Sequence, residues 1–200
     1  MQKILLYYKF TPIKDPEVVK LWQKTLCDSL NLRGRILVSR HGLNGTVGGD
    51  IDDLKSYIKE TKKFPGFKGI VFKWSDGGRE DFPRMSVKHR RELVGFKASD
   101  DEYSVDENGV IGGGTHIKPK QLHEMIKAHG DDVVFFDGRN EHEAKIGKFK
   151  NAVIPNTHTS RDFIAELESD KYNDIKDKKV VTYCTAGKRC EVISAMMKKR

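Results

Sequence analysis

The run 180-VVTYCTAGKRCEVISAMM-197 holds two thiols and an arginine where the chain passes from one pattern to another. A β-branched stretch ends at Cys184, a short loop containing Gly187 follows, and an apolar-periodic helix opens near Arg189 and Cys190. Backbone N–H groups at such a helix start converge on one point, and the positive end of the helix dipole strengthens their hold on an anion. A cysteine there is expected to have a depressed pKa and to react as thiolate. Arg189 adds a fixed positive charge, in the cradle or on its rim. Cys184 is thus the candidate catalytic residue, with Thr185, Gly187, Lys188 and Arg189 supporting the loop. Cys190, about one turn into the helix, either resolves a persulfide or disulfide on Cys184 or packs.

The loop length separates two chemistries. Tyrosine and dual-specificity phosphatases place five residues between cysteine and arginine, enough to wrap a phosphate. Here four residues, Thr185 to Lys188, lie between Cys184 and Arg189. The smaller loop suits one extra sulfur atom on the cysteine, which favours a persulfide carrier.

The elements that must position this loop follow from periodicity. Residues 119–200 alternate helix and strand: PKQLHEMIKAHG reads as a helix, VVFFDGR as a buried strand, FIAELESDKYNDI as a helix and KKVVTYC as a strand. Fully apolar strands alternating with helices predict a parallel sheet covered on both faces, with ligands at the strand carboxyl ends. Cys184 falls at one such end. Residues 1–97 read differently. ILLYYKF is a strand, and Asp15-Pro16 starts a helix with Val18, Leu21, Trp22, Leu26 and Leu30 on one face. RGRILVSRHGLNGTVGG gives two strands joined by a Gly- and Asn-rich turn formed around Gly42, Asn44 and Gly45. DIDDLKSYIKETKKF is a second helix and GIVFKWS a fourth strand. That βαββαβ order predicts a ferredoxin-like domain. Residues 98–118, acidic then Gly-rich, read as a linker. Cys27 falls among helix positions as plain core.

Composition sets the remaining bounds. The net charge is +8, and residues 55 to 97 carry twelve Lys and Arg against five Asp and Glu, an excess of seven. A polyanion such as RNA or DNA fits that patch, with Arg84, Lys88, Arg90 and Arg91 as candidate contacts. Phe82, Trp74 and His89 lie among those charges and are candidates for stacking on unpaired bases. No apolar run approaches the roughly 18 residues of a membrane span, so no membrane partner is expected. Three cysteines cannot all pair, and no zinc-type spacing is present, which predicts a cytoplasmic chain with reduced thiols.

Two segments of the second half resemble a rhodanese domain. One is CTAGKR with its helix; the other is 133-VVFFDGRNEHEAKIGKFKNAVIPNT-157, similar to the rhodanese D-x-R-x-x-x-E…G-H-x-x-G-A type. Asp137, Arg139 and Glu143 fall on that pattern in mostly structural roles, followed by Gly147, Ala152 and Pro155. Lys148 stands for the usual His and Asn151 for the usual Gly. In the first half, LLYYKFTPIKDPE, GRILVSRHGLNGTVGG and KWSDGGREDFPRMSVKHRRELV resemble the bacterial tRNA uridine hydroxylases, where an acylphosphatase-like domain precedes a rhodanese domain. The loop of that family is typically CTGGIRCE, against CTAGKRCE here, with Ala186 and Lys188 as departures. The resemblance implies oxygen-dependent 5-hydroxylation of the wobble uridine of certain tRNAs, with tRNA as partner, molecular oxygen as co-substrate and a rhodanese cysteine required. No flavin, haem or iron motif is visible, so no cofactor is identifiable. Without the resemblance, the residues reach only a sulfurtransferase fed by a sulfur donor, or a non-catalytic RNA-binding module. A rhodanese domain is expected to continue past the active-loop helix, so the second domain is read as incomplete at Arg200.

Overall fold

The structure is a computed structural model and describes residues 1–99 and 101–200. The chain divides into two units, one of Met1–Leu93 with Ser104–Gly109, the other of Val94–Tyr103 with Val110–Arg200. The expected linker 98–118 includes Asp100, which lies outside the described residues.

In the first unit, β1 (Gln2–Phe10), β2 (Arg33–Ser39), β3 (Gly42–Asp50), β4 (Val71–Ser75) and β5 (Met85–His89) form one sheet in the order β4-β1-β3-β2-β5. The first four strands are antiparallel neighbours, and β5 joins β2 in parallel. Sequence periodicity predicted β1 to β4 but not β5. MSVKH is short and sits between turn residues, and its strand character comes from pairing with β2 rather than from its own alternation. The strands β2 and β3 meet at Arg40 and His41, so Gly42, Asn44 and Gly45 lie inside β3 and do not form the turn expected of them. Glycine is required there for close approach: a Cβ on Gly42 would stand 2.0 Å from the Lys9 carbonyl oxygen, and one on Gly45 2.2 Å from the Tyr7 ring.

Helices α1 (Pro16–Ser29) and α2 (Ile51–Thr61) supply the side chains that bury one face of this sheet. Asp15 caps α1 as its sequence implies, accepting the Glu17 and Val18 N–H groups at 3.1 Å with Pro16 in the first turn. The buried stripe differs from the expected one. Val18 and Leu21 are 59% and 63% exposed, whereas Val19, Gln23 and Cys27 are buried alongside Trp22, Leu26 and Leu30. The i, i+4, i+8 line through Gln23 was disguised because that position is polar; its side-chain oxygen accepts the Tyr57 hydroxyl in the core. Cys27 is plain core, its thiol pushed up to about 12 by burial.

The chain then forms a two-stranded hairpin, β6 (Val105–Asp106) with β7 (Gly109–Val110), turned by Asp106, which accepts the Asn108 and Gly109 N–H groups. In the second unit, α3 (Pro119–His129) leads to β8 (Val133–Asp137), α4 (Glu141–Ala144) and α5 (Phe163–Glu168). β9 (Lys179–Tyr183) and α6 (Lys188–Lys199) follow. β8 and β9 pair in parallel, and Phe136 makes a parallel bridge to Val153. The single helix expected over FIAELESDKYNDI breaks at Ser169, which is extended, and continues as a 3-10 turn over Asp170–Ile175. No helix among the described residues is long and apolar enough to cross a membrane.

Candidate active site

β9 ends at Tyr183 and α6 begins at Lys188, so Cys184 to Gly187 form the strand-to-helix loop. Gly187 is the residue before the helix, with φ of 88°, a conformation that favours glycine. That turn brings the Gly187 N–H to 3.2 Å from the Cys184 sulfur. Cys184 is lowered to about 5, first by hydrogen bonding from the Cys190 side chain and then by the backbone N–H groups of Cys190, Ala186 and Arg189, against the opposing effect of burial. Cys190 moves the other way: it stays a thiol, raised by its hydrogen bond to Cys184 and by burial. The division follows from position. Cys184 lies ahead of the helix, where the N–H groups of the first turn converge, and Cys190 stands in that first turn, donating to Cys184 from both its backbone N–H and its side chain. Between pH 5 and the ordinary range of a thiol, the first cysteine is thiolate and the second is its proton-bearing neighbour.

Arg189 does not lie free in the cradle. It forms a bidentate pair with Glu143, at 2.6 Å to Oε2 and 2.7 Å to Oε1, and its Nη2 donates to the Thr185 hydroxyl at 3.1 Å. Thr185 in turn donates to Glu143 at 3.1 Å, and the Asn140 N–H donates to the same carboxylate. These donors hold Glu143 at about 2, with Arg189 the largest cause. Glu143 therefore braces Arg189 and the rim of the loop from α4, and it is the residue whose importance residue-type reasoning understated. Its place in the D-x-R-x-x-x-E spacing was the available signal.

Asp137 and Arg139 support the floor. Asp137, fully buried at the end of β8, accepts from the Arg139 backbone N–H and guanidinium and from the Tyr183 hydroxyl. Arg139 also donates to the Gly147 carbonyl at 2.6 Å. These bonds tie the ends of β8 and β9 together beneath the loop. Gly138 adds a steric constraint, because a Cβ there would stand 3.0 Å from Ile193 Cδ1 and 3.4 Å from the Cys190 sulfur. Lys188 opens α6 and is half-buried.

Cys184, Gly187 and Cys190 line an open cavity of about 950 Å³, together with Phe135, Phe149 and Tyr183. That volume lies in the range of small-molecule sites and admits a nucleobase. Among the described residues no group of three or more His, Cys, Asp or Glu is placed to hold a metal ion.

Of the candidate nucleic-acid contacts, Lys88 lies on β5, Arg84 precedes that strand, and Arg90 and Arg91 follow it; all four are exposed. They belong to the first unit, as Cys184 belongs to the second. Trp74 is 45% exposed on β4, and Phe82 is half-buried beside Gly48. His89 is exposed and turns toward α1, where Nδ1 stands 2.9 Å from Glu17 Oε1.

Comparison with known proteins bears on both units. Residues 2–93 match the family described as UPF0176 acylphosphatase like domain. A protein of Corynebacterium glutamicum named tRNA uridine(34) hydroxylase is 66% identical over 98% of this chain and 62% of its own length. A protein of the same name from Corynebacterium efficiens is 62% identical over the same shares. One from Corynebacterium kroppenstedtii is 58% identical over the whole of this chain and 67% of its own length. The chain thus spans about 62% of the length of the first of these relatives.

Proposed function

Because the chain belongs to the tRNA uridine(34) hydroxylase family, we propose that it takes part in 5-hydroxylation of the wobble uridine of tRNA, with Cys184 as the reactive group of a rhodanese-type second domain. The observation that carries this reading is the Cys184 site: a thiol held as thiolate by the Cys190 side chain and converging N–H groups at the mouth of a cavity wide enough for a base. A thiolate at neutral pH is a strong nucleophile ahead of any further activation. The Glu143–Arg189 pair keeps the loop in the conformation that holds it so.

Molecular oxygen is the proposed co-substrate. The basic excess of the first unit supports an RNA substrate, since cations that neutralise phosphates supply most non-specific affinity. Mass spectrometry of tRNA nucleosides tests the reading. A strain lacking the gene should lose 5-hydroxyuridine and its derivatives, and restoring the gene should return them. Unchanged levels in the deletion strain, with no parallel route to the same nucleosides, would reject it.

A second reading is favoured by the four-residue interval from Cys184 to Arg189, which leaves a cradle suited to one added sulfur. Here Cys184 carries sulfane sulfur as a persulfide from a sulfur donor to an acceptor. Turnover of thiosulfate and cyanide that vanishes in Cys184→Ala supports it, and absence of turnover removes it.

A further inference from the structure

The five-stranded sheet of the first unit has two faces with opposite fates. Leu5, Tyr7, Ile36, Val38, Leu43 and Val47 point to the helix side and are buried. The register shows what stands on the other side. One row across the sheet reads Lys73, Leu6, Thr46, Arg35 and Ser86, and the next reads Val71, Tyr8, Asn44, Leu37 and Lys88. At strand spacing each row is about 19 Å wide, and the two rows lie about 7 Å apart. Leu6 is 37% exposed and Val71 69% exposed, so apolar surface is displayed here rather than packed.

The charges on this face are arranged by location. Toward one end, the segment 77–82 lies over the sheet: a Cβ on Gly48 would meet the Gly78 carbonyl at 2.3 Å. The cation of this face at that end is neutralised, Arg33 by Glu80 at 3.0 Å. Within the two rows, Arg35, Lys73 and Lys88 are exposed and, among the described residues, pair with no carboxylate. None of the ten residues in those rows is acidic. Tyr8 sits one strand in from the β4 edge, half-buried, with its ring 6.0 Å from and edge-on to Phe10. Asn44 and Thr46 beside it offer side-chain donors and acceptors.

An open sheet face with an aromatic ring, neutral hydrogen-bonding neighbours and a border of unpaired cations suits unstacked bases whose phosphates run along the edge. A double helix presents no bases to such a face. We propose that this face of the sheet binds single-stranded RNA, with Tyr8, Leu6 and Val71 against the bases and Arg35, Lys73 and Lys88 at the phosphates. The proposal rests on the reading that the chain acts on RNA and names the surface and the single-stranded form it takes.

Fluorescence anisotropy of the 200-residue chain with a labelled uridine-rich single-stranded RNA of about ten nucleotides, and with a duplex of equal length, tests it. Arg35→Glu and Leu6→Glu should each weaken single-strand binding about tenfold or more. Arg35→Glu should also flatten the slope of log affinity against log salt by about 0.7, one single-strand phosphate contact. Lys59→Glu on α2 makes the same charge change on the helix side and should alter affinity less than about threefold. Equal losses in Arg35→Glu and Lys59→Glu, an undiminished Leu6→Glu, duplex binding as tight as single-strand binding, or no RNA binding by the wild-type chain would each overturn the proposal. If the face fails while the deletion strain still loses its hydroxyuridine, only this inference falls. If the face binds RNA as described and the nucleosides do not change, the reading of the reaction falls instead.

Discussion

Replacing Cys190 by alanine isolates the cause that does most to lower Cys184. The S–H of Cys190 is the first of the groups that favour the Cys184 thiolate, ahead of the backbone N–H groups. A hydrogen bond to a charged partner contributes about 1.5–3 kcal/mol, and about 1.4 kcal/mol corresponds to one pKa unit. Cys190→Ala should therefore raise Cys184 from about 5 by roughly one to two units, while the backbone cradle keeps it below an ordinary thiol. The assay is the rate of Cys184 alkylation by iodoacetamide between pH 4 and 9, read by mass spectrometry of the peptide holding the residue. In the wild type the rate should reach half its plateau near pH 5; in the variant the midpoint should move up, so that the largest rate loss falls near pH 6. Cys190→Ser, whose hydroxyl can still donate, should lie between the two. An unmoved midpoint in Cys190→Ala would show that the N–H groups alone hold the thiolate, and a wild-type midpoint near 8.5 would refute the cradle itself.

Two further perturbations address the scaffold around the loop. Glu143→Gln breaks the bidentate pair that braces Arg189 and should cost about 1–3 kcal/mol, read as a lower denaturation midpoint by circular dichroism. Glu143 is held at about 2, below its unfolded value, so its contribution is present above about pH 4.5 and lost as pH falls from there toward 2; Glu143→Gln should lack that part of the acid sensitivity. Gly138→Ala should destabilise by about 1–3 kcal/mol, because the added methyl meets Ile193 and the Cys190 sulfur, and a thermal melt unchanged from wild type would contradict that packing.

The strand-loop-helix setting of Cys184 was legible in the sequence because it depends on local pattern: a β-branched run, a glycine able to adopt positive φ and a helical period. The partner of Arg189 was not legible from residue types, since Glu143 lies 46 positions away and only the fold brings it near. In the first unit, β1 to β4 and both helices announced themselves by period, and the cap at Asp15 by its residue type. The face of α1 was misread because apolar character was taken to mean burial. Val18 and Leu21 stand in water while Gln23 is buried, its cost offset by the hydroxyl of Tyr57. The strand β5 was missed because it is short and takes its strand character from parallel pairing to β2 rather than from its own alternation. The basic segment was visible as composition, yet the placing of its Lys73 and Lys88 on one sheet face with Arg35, from outside the segment, depends on register, which only the sheet supplies.

Under the proposed function, the Cys184 thiolate is the reactive group in tRNA uridine hydroxylation. The most direct test is the 5-hydroxyuridine content of tRNA from the deletion strain complemented with the wild-type gene or with Cys184→Ala, at matched protein levels. Restoration by the wild type and none by the variant is the expected result. Full restoration by Cys184→Ala would contradict it and leave the thiolate site without a part in the reaction.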